Sequence, residues 1–402
     1  MSPTLQSKTR HATPIFALSL LGAAMFSATA ANASGFFMQE AVVANAGTAG
    51  AGDGVYTQSA AAMWANPATM SHMGESKTTV NTLLLDLEME YTDRNDNGDA
   101  KGHTIMPSVG LFHATELEEN LHLGLALGVV GGSSISYGQE WAGANALDEV
   151  TLTVIQFNPS LAFKIDDQWS MGAGAMLNWV SLEQTTALIS PEQDTDRAVG
   201  FNFGVMYKHS NSWSVGASYR SKIEHNFSLD IPREGPLSPS IATDISVPEI
   251  IDVSGQLSLT QELDLLATVQ YHRWSRMDNT AMDFGAGTGL LDIERQWSDT
   301  WKFAVGADYQ LNTDWRLKAG FSYETSPQDD PSMQWVDLPV GEQYRYTLGA
   351  STNWGDTGVD FFYEYADLGS VEMDRNHPLI GAGGVNGTFD GRMHFVGVNF
   401  TF

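Results

Sequence analysis

The sequence contains no cysteine among its 402 residues. Disulfides, thiolate metal sites and cysteine nucleophiles are therefore excluded together. Positive charge is also scarce, because only 20 Lys and Arg residues stand against 48 Asp and Glu residues. A chain this acidic is poorly suited to nucleic acid, whose phosphates are bound by lysine and arginine. The few cations that remain are the residues to inspect as partners of an anionic ligand.

Long apolar runs are missing too, apart from one near the start of the chain. Residues 15–28 are mostly apolar, they follow Lys8 and Arg10, and Ala31-Asn32-Ala33 offers a small-x-small cleavage site. This order predicts an export signal at residues 1–33 and a mature chain that begins at Ser34. A membrane anchor is the alternative, but the run is short and alanine-rich. No later run reaches about 18 apolar residues, so we expect no transmembrane helix.

Residues 34–75 show neither helical nor strand periodicity. Four glycines, Gly47, Gly50, Gly52 and Gly54, fall within eight positions of this stretch, which predicts compact irregular backbone. From residue 76 to residue 402 the chain changes to a succession of strand-like runs. We therefore predict that the irregular segment is enclosed by the structure that these strands build.

The alternation of side chains predicts fourteen strands. They are expected at residues 77–93, 104–114, 120–131, 151–165, 169–183, 198–209, 213–227, 248–260, 263–277, 295–310, 314–325, 341–353, 357–368 and 389–402. Tight turns and long loops alternate between them. The strands run to roughly 11 to 17 residues, whereas strands of globular proteins usually have about 5 or 6.

One face of these strands is apolar and the other is small or charged. Trp301, Phe303 and Val305, for example, alternate with Lys302 and Ala304. A soluble sandwich would alternate as well, with its apolar face inward. Long strands, aromatic residues at the ends of the apolar face and alternating turn lengths are instead typical of an outer-membrane barrel with its apolar face outward.

The sequence therefore predicts an all-β protein, a 14-stranded antiparallel transmembrane β-barrel. An even strand count places both termini on the short-turn side, expected in the periplasm, and lets residues 34–75 fold back into the lumen. The expected domains are a signal peptide at 1–33, an N-terminal plug at 34–75 and a barrel at 76–402. The final Phe402 resembles the signal that the barrel-insertion machinery of Gram-negative bacteria reads.

Several short sequence motifs resemble those of a known family. They are Ser34-Gly35-Phe36, Asn66-Pro67-Ala68, Asn158-Pro159-Ser160-Leu161-Ala162-Phe163, Tyr219-Arg220-Ser221 and Phe321-Ser322-Tyr323 followed by Ser326-Pro327. The whole mature chain looks like the FadL family of outer-membrane long-chain fatty acid transporters, which includes aromatic-hydrocarbon importers similar to TodX. The resemblance implies a monomer without cofactor, metal or catalytic residues, in contact with hydrophobic cargo and with outer-membrane lipid and lipopolysaccharide.

The resemblance also assigns roles to three stretches. Asn66-Pro67-Ala68 would belong to the plug that blocks the lumen, although the same tripeptide also suits an ordinary turn. Phe36 and Phe37 would occupy the ligand cavity and move when ligand enters. Gly131-Gly132 would mark a kink in the third strand, beside a gap through which ligand leaves into the bilayer. The alternative for these glycines is a plain strand end.

Cations that face the lumen are the expected partners of a fatty carboxylate. The alternation points five of them inward: Arg220, Lys222, Lys302, Lys318 and Arg345. We predict ligand contacts for Arg220, Lys302 and Arg345. The alternative is pairing with acidic wall residues, because buried charges need partners; those residues are Asp308, Glu324, Asp360 and Glu364.

The long loops offer apolar side chains that would capture cargo. These are Ile135, Tyr137, Trp141, Leu147, Leu188, Ile189, Leu237 and Ile241. After Trp141 the chain reads Ala142-Gly143-Ala144-Asn145, where many family members carry a basic residue, which leaves room for a neutral hydrocarbon cargo. Asp93 to Gly98 matches the start of a calcium loop, but Thr104 replaces the closing glutamate. A solvated loop is the expected structure there.

The predicted function is passive import of long-chain fatty acids or related hydrophobic compounds, with loop capture, plug movement and lateral release. Import of neutral aromatic hydrocarbons is the alternative on the same fold. A general porin and a lipid hydrolase are less favoured. Enzyme motifs are incomplete: Gly216-Ala217-Ser218-Tyr219-Arg220, for instance, lacks the last glycine of a nucleophile elbow.

Overall fold

The computed structural model describes residues 39–209, 212–232, 240–283, 291–381 and 383–402. Fourteen long strands form a closed antiparallel barrel in which the first strand pairs with the last. They are β1 (Ser76–Asp93), β2 (Ala100–Glu118), β3 (Leu121–Ser136), β4 (Glu149–Lys164), β5 (Trp169–Thr185), β6 (Asp194–His209), β7 (Trp213–Arg220), β10 (Ile250–Ser258), β11 (Leu263–His272), β14 (Thr300–Gln310), β15 (Arg316–Glu324), β16 (Gln343–Trp354), β17 (Thr357–Arg375) and β18 (Val385–Thr401). The predicted fold class is confirmed.

The remaining elements are short. Two hairpins lie in long connections: β8 (Ile223–Asp230) with β9 (Ser240–Val247), and β12 (Asn279–Thr280) with β13 (Ile293–Glu294). A single helical turn, α1, covers Ala62–Ala65, and 3-10 helices cover Glu40–Val42, Asp53–Val55, Pro67–His72 and Trp274–Arg276. In the described residues, no helix has the length and apolar character needed to cross a membrane.

Away from the long-loop rim, the side chains of the strands face the predicted directions. Trp301 and Phe303 expose 46% and 45% of their surface, whereas Lys302 between them exposes 5%. Leu317 is also exposed and Lys318 is buried. An exterior of aromatic and aliphatic side chains around a polar lining is the arrangement of a barrel that contacts lipid.

The polarity of the two faces inverts towards the long-loop rim of β1. Leu85, Leu87 and Met89 are buried inside, whereas Glu88 and Glu90 lie on the outer face. Glu88 pairs there with Lys101 and Arg392. The barrel wall thus rises above the level where its exterior is apolar, and packed loops fill its interior at that height. The rule of apolar outside and polar inside, taken from other strands, is wrong for this part of β1.

Three predicted strands were clearly too long because alternation continues beyond the barrel wall. The prediction for residues 263–277 runs five residues past His272, where β11 ends. The prediction for residues 213–227 joins β7 to Ile223 and Phe227, which belong to the separate β8–β9 hairpin and are buried. The prediction for residues 295–310 starts five residues before Thr300, where β14 begins. Lys222, expected inside, follows β7, is half-buried and pairs with Glu224.

Residues 39–75 form what we call the inner segment, which packs against the inner faces of the wall strands. Small residues allow this close contact. Gly47 has a φ of 96°, and a Cβ built on it would lie 2.6 Å from the Cα of Gly349 on β16. A Cβ on Gly320 would lie 2.1 Å from the backbone of Thr48. The inner segment therefore approaches the wall at backbone distance.

Candidate functional site

Asn66 connects the inner segment to the wall. It is fully buried, and its Oδ1 accepts a hydrogen bond from the amide of Ala68 at 3.0 Å, which caps the 3-10 helix that Pro67 begins. Its Nδ2 donates to the carbonyl of Gly54 at 2.9 Å and to that of Val205 on β6 at 3.0 Å. The predicted tripeptide thus supplies three buried hydrogen bonds at one position.

Burial perturbs several titratable groups of the inner segment, among them Asp53 and His72. Asp53 accepts hydrogen bonds from the amides of Ala44 and Asn45 at 2.9 and 3.0 Å, and burial raises the pKa of its carboxyl group. Burial also lowers the pKa of His72 to about 4, and the nearby cations Lys208 and Lys164 act in the same direction. Above that pH, His72 is therefore neutral.

The opposite end of the inner segment is held by an ion pair. Glu40, in the 3-10 helix Glu40–Val42, is buried and accepts a hydrogen bond from the Nε of Arg345 on β16 at 3.0 Å. Arg345 also lies 3.4 Å from the carboxylate of Glu364 on β17. Arg345 therefore faces two carboxylates, one from the wall and one from the inner segment.

A cavity of about 40 Å³ lies between the inner segment and the wall. Its lining includes Glu40, Asp53, Trp64, Arg220, Asp252, Lys302, Phe362 and Glu364. A space of this size holds only one or two water molecules. The site therefore combines charged and apolar groups but has no room for a cargo molecule while the inner segment is in place.

The three predicted ligand cations are buried and lie near this space, but they differ in their partners. Arg220 donates to the carbonyl of Trp64 at 2.7 Å and to Gln156 at 2.6 Å, and its guanidinium lies 3.5 Å from the Trp64 ring centre. Arg345 is paired as described. Lys302 has no hydrogen bond or ion pair to any described residue.

The predicted alternative, pairing within the wall, holds for Lys318, which lies 2.7 Å from Asp360. The acidic partner Glu324 lies 3.2 Å from His272 and accepts a hydrogen bond from Thr300. Asp308 pairs with Arg316. Most of the acidic wall residues are therefore already engaged.

The wall is open between β2 and β3 near the long-loop rim. Pairing of these strands stops at Gly110 and Gly128, although β2 continues to pair with β1 as far as Ala100, and β3 with β4 as far as Ser136. Pro107 lies in the part of β2 without a partner on β3. Proline lacks an amide hydrogen and is tolerated in a sheet only where an edge is open.

The predicted glycines lie on the β3 edge of this opening. A register shift between Val129 and Gly131 marks a bulge against β4, and Gly131 and Gly132 pair with Val154 and Thr153. The strand continues past them to Ser136, so they do not form a plain strand end. At the base of the opening, a Cβ built on Gly128 would lie 3.3 Å from Val42 of the inner segment.

A second cavity, of about 250 Å³, lies among the long loops. Its lining contains three of the predicted capture residues, Leu188, Ile189 and Ile241, together with Leu229, Met282 and Leu379. The part of its lining that the structure describes includes no lysine, arginine or histidine. This cavity is suited to an uncharged apolar group.

Trp141 lies elsewhere, in a cluster of four rings. Its ring centre lies 5.3 Å from that of Tyr91 and 4.9 Å from that of Tyr137, and Phe389 completes the group. Its Nε1 donates to the carbonyl of Leu147. Trp141 therefore packs the loop that follows β3, and its predicted contact with ligand stays a prediction. Phe36, Phe37 and Leu237 lie outside the described residues.

The first carboxylate of the possible calcium loop already accepts hydrogen bonds from neighbouring residues. Asp93 Oδ2 accepts hydrogen bonds from the amides of Asn95 and Asn97, and Asp93 Oδ1 accepts one from the Tyr91 hydroxyl. These contacts make a compact turn at the loop. Across the described ranges, no group of three or more His, Asp and Glu residues is arranged to hold a metal ion.

Sequence reasoning missed two residues of the site. Glu40 gave no signal, because a single acidic residue in an irregular stretch does not reveal its partner. Pro107 did give one: a proline in the middle of an alternating run indicates an open strand edge, next to the strand in which Gly131-Gly132 suggested a kink.

Fourteen antiparallel strands closed around a filled lumen, with a lipid-facing exterior, define a transmembrane β-barrel of the outer-membrane type. Residues 24–402 match the sequence model of the family described as "Outer membrane protein transport protein (OMPP1/FadL/TodX)". The chain belongs to this family. It is accordingly a transporter of the outer membrane of Gram-negative bacteria, and not an enzyme.

Relatives in sequence cover most of the chain. Outer membrane protein P1 of Haemophilus influenzae is 24% identical over 424 residues, which cover 87% of this chain and 90% of that protein. The long-chain fatty acid transport protein of Escherichia coli K12 is 19% identical over 434 residues, with 93% and 95% covered.

Solved structures share the fold. A FadL homologue from Pseudomonas aeruginosa superposes with a TM-score of 0.81 at 17% identity, covering 94% of this chain and 99% of that one. The toluene transporter TodX of Pseudomonas putida superposes with a TM-score of 0.68 at 14% identity, covering 90% and 98%. At these identities the likeness concerns the fold.

Proposed function

We propose that this transporter imports long-chain fatty acids or related hydrophobic compounds passively, and releases them sideways through the wall. The observation that carries the proposal is the opening between β2 and β3, with Val42 of the inner segment at its base. An interruption in the pairing of a barrel wall exposes polar backbone groups, which cost free energy in a membrane unless they are satisfied. A role of the opening as the exit for cargo explains why the chain tolerates this interruption.

Capture of cargo is assigned to the loop cavity. Its apolar lining, which includes Leu188, Ile189 and Ile241, accepts a hydrocarbon chain or ring and excludes water from it. Burial of each methylene group contributes about 0.8 kcal/mol. A cavity of about 250 Å³ therefore gives an apolar part of the cargo a favourable place out of water.

The inner segment acts as a plug in this proposal. The 40 Å³ cavity beside Glu40 and Lys302 is too small for cargo, so part of residues 39–75 has to move before cargo reaches these residues. Val42 belongs to the same helical turn as Glu40, and that turn packs against β1, β2 and β3. Its displacement enlarges the cavity and clears the base of the opening. Lys302, which has no partner among the described residues, is the cation available to a cargo carboxylate there.

Uptake measurements test the proposal. A host strain that lacks this transporter should take up labelled hexadecanoate more slowly than the parent strain, and a plasmid copy should restore the rate. Unchanged uptake would reject the fatty acid function. Mass spectrometry of lipid that co-purifies with the protein from its native membrane identifies the cargo class directly.

Neutral aromatic hydrocarbons are the second candidate cargo. Among the described residues, none that lines the loop cavity is cationic, and the stretch 142–145 after Trp141 has no cation either. Solved relatives that superpose on this chain include toluene transporters. Labelled toluene, used in the same pair of strains, distinguishes this cargo from hexadecanoate.

A further inference from the structure

We propose that Glu40 occupies the cargo-carboxylate position on Arg345 in the closed transporter, and that an acidic cargo opens the inner segment by replacing it. This inference rests on the proposed import of fatty acids. It assigns to Glu40 the role of an internal competitor, which sets both the affinity for cargo and the conditions for opening.

The contact between the two residues is buried and direct. Glu40 exposes 7% of its surface and Arg345 exposes 4%. The 3.0 Å bond from Arg345 Nε to Glu40 Oε1 crosses 305 positions of sequence and joins the inner segment to β16. In a site with little water, such a charge-assisted bond is stronger than one between neutral groups.

Arg345 faces a second acidic side chain besides Glu40. Glu364 of the neighbouring strand lies 3.4 Å from it, and its Oε1 accepts no hydrogen bond from any described residue. The two acidic side chains therefore compete for one guanidinium group. Glu40 is therefore held less firmly than in an isolated pair, while Glu364 remains to compensate Arg345 if Glu40 leaves.

The Glu40–Arg345 contact lies beside the lumen cavity, so it is the first contact that cargo meets as that cavity widens. Glu40 and Lys302 both line the 40 Å³ cavity, and a smaller cavity brings Glu40, Lys302 and Arg345 together. A carboxylate that arrives beside Lys302 thus meets Arg345 from the side that Glu40 now covers. Replacement of one carboxylate by another leaves the buried charge unchanged, whereas an alcohol or an ester would leave Arg345 with Glu364 alone.

The test is a mutant cycle on the purified full-length protein in lipid nanodiscs. Hexadecanoate and hexadecanol are titrated against wild type, Glu40→Gln, Arg345→Gln and the double variant. Glu40→Gln keeps the side-chain shape and leaves the Arg345–Glu364 pair intact, so it should fold. Heat-modifiable migration on gels verifies the folding of each variant.

Loss of the competing carboxylate should tighten hexadecanoate binding by about tenfold in Glu40→Gln, the effect of one charge-assisted hydrogen bond. In the Arg345→Gln background the same change should have no effect on hexadecanoate. Glu40→Asp, one methylene shorter, should lie between wild type and Glu40→Gln. Asp360→Asn, which removes a carboxylate from the Lys318 pair, is the matched control and should not alter hexadecanoate binding.

The outcomes separate the two proposals. Unchanged or weaker hexadecanoate binding in Glu40→Gln overturns the role of Glu40, as does an effect of equal size with and without Arg345. Should Arg345→Gln not fold, the graded series from wild type through Glu40→Asp to Glu40→Gln decides alone. Wild type that binds neither ligand contradicts the import function itself, and wild type that binds hexadecanol but not hexadecanoate contradicts both the fatty acid function and the role of Glu40.

Discussion

Replacement of Asn66 by alanine should release the inner segment. The change removes three buried hydrogen bonds, to the carbonyls of Gly54 and Val205 and from the amide of Ala68. Each contributes about 1 kcal/mol net, so their loss destabilises the docked and folded segment by about 3 kcal/mol. At 1.4 kcal/mol per factor of ten, the undocked population rises roughly 100-fold.

Ion conductance across a planar bilayer measures that population, because a lumen without its inner segment conducts. Wild type should show rare brief openings, and Asn66→Ala should show them roughly 100 times as often, by the same free-energy argument. The matched control is Asn399→Ala on β18. Asn399 is 2% exposed and neither of its side-chain polar atoms has a hydrogen-bond partner among the described residues.

Equal conductance of Asn66→Ala and wild type would refute this reasoning, because the three bonds would then contribute nothing to docking. Equal increases in Asn66→Ala and Asn399→Ala would refute it as well, since a general loosening of the barrel would explain both.

Three further predictions concern the same segment. A disulfide in Val42→Cys/Gly128→Cys, where the Gly128 Cβ would lie 3.3 Å from a Val42 methyl carbon, fits the distances of a cystine and should abolish uptake until a reductant is added. Gly349→Val should displace the segment and raise conductance, because even its Cβ would lie 2.9 Å from Gly47 and from the Ala46 carbonyl. Docking lowers the pKa of His72 from its usual 6.5 to about 4, so the undocked histidine takes up a proton first and docking weakens as the pH falls from 6.5 to 4; conductance at pH 4 should therefore exceed that at pH 7.

Each of these has an internal control. Ser59→Cys/Thr79→Cys, whose hydroxyl oxygens lie 3.2 Å apart, fixes the segment to β1 away from the opening and should spare more uptake than the first disulfide. Gly358→Ala meets no atom closer than 3.7 Å and should conduct like wild type. His72→Gln should remove the pH dependence; full dependence in that variant would assign it to another group.

Strand number, strand direction and the facing of side chains could be predicted because they follow from a local period of two. The period also explains the errors. In residues 213–227 it resumes after Tyr219 at Ile223 and Phe227, yet the chain leaves the barrel after Arg220. A hairpin packed among loops buries one face just as a barrel strand does, so the pattern is the same in both.

Pairing across the lumen could not be predicted in this way. Alternation places Arg345 and Lys302 inward, but the register that brings Glu40 within 3.0 Å of Arg345 depends on how residues 39–75 fold against fourteen strands at once. Inward glycines such as Gly320 and Gly349 lie where the inner segment approaches the wall. A glycine in a strand does not by itself identify the segment that packs against it.

One helical turn couples cargo binding to the opening of the wall, because its two ends contact the two sites. Glu40 and Val42 lie two residues apart in the same 3-10 helix. Glu40 contacts the cation on β16, and Val42 contacts Gly128, where the pairing of β2 and β3 ends. A turn this short cannot lose its first contact and keep the geometry of its second. In the proposed mechanism, displacement of Glu40 from Arg345 therefore also withdraws Val42 from the opening, and no signal has to pass through the barrel wall.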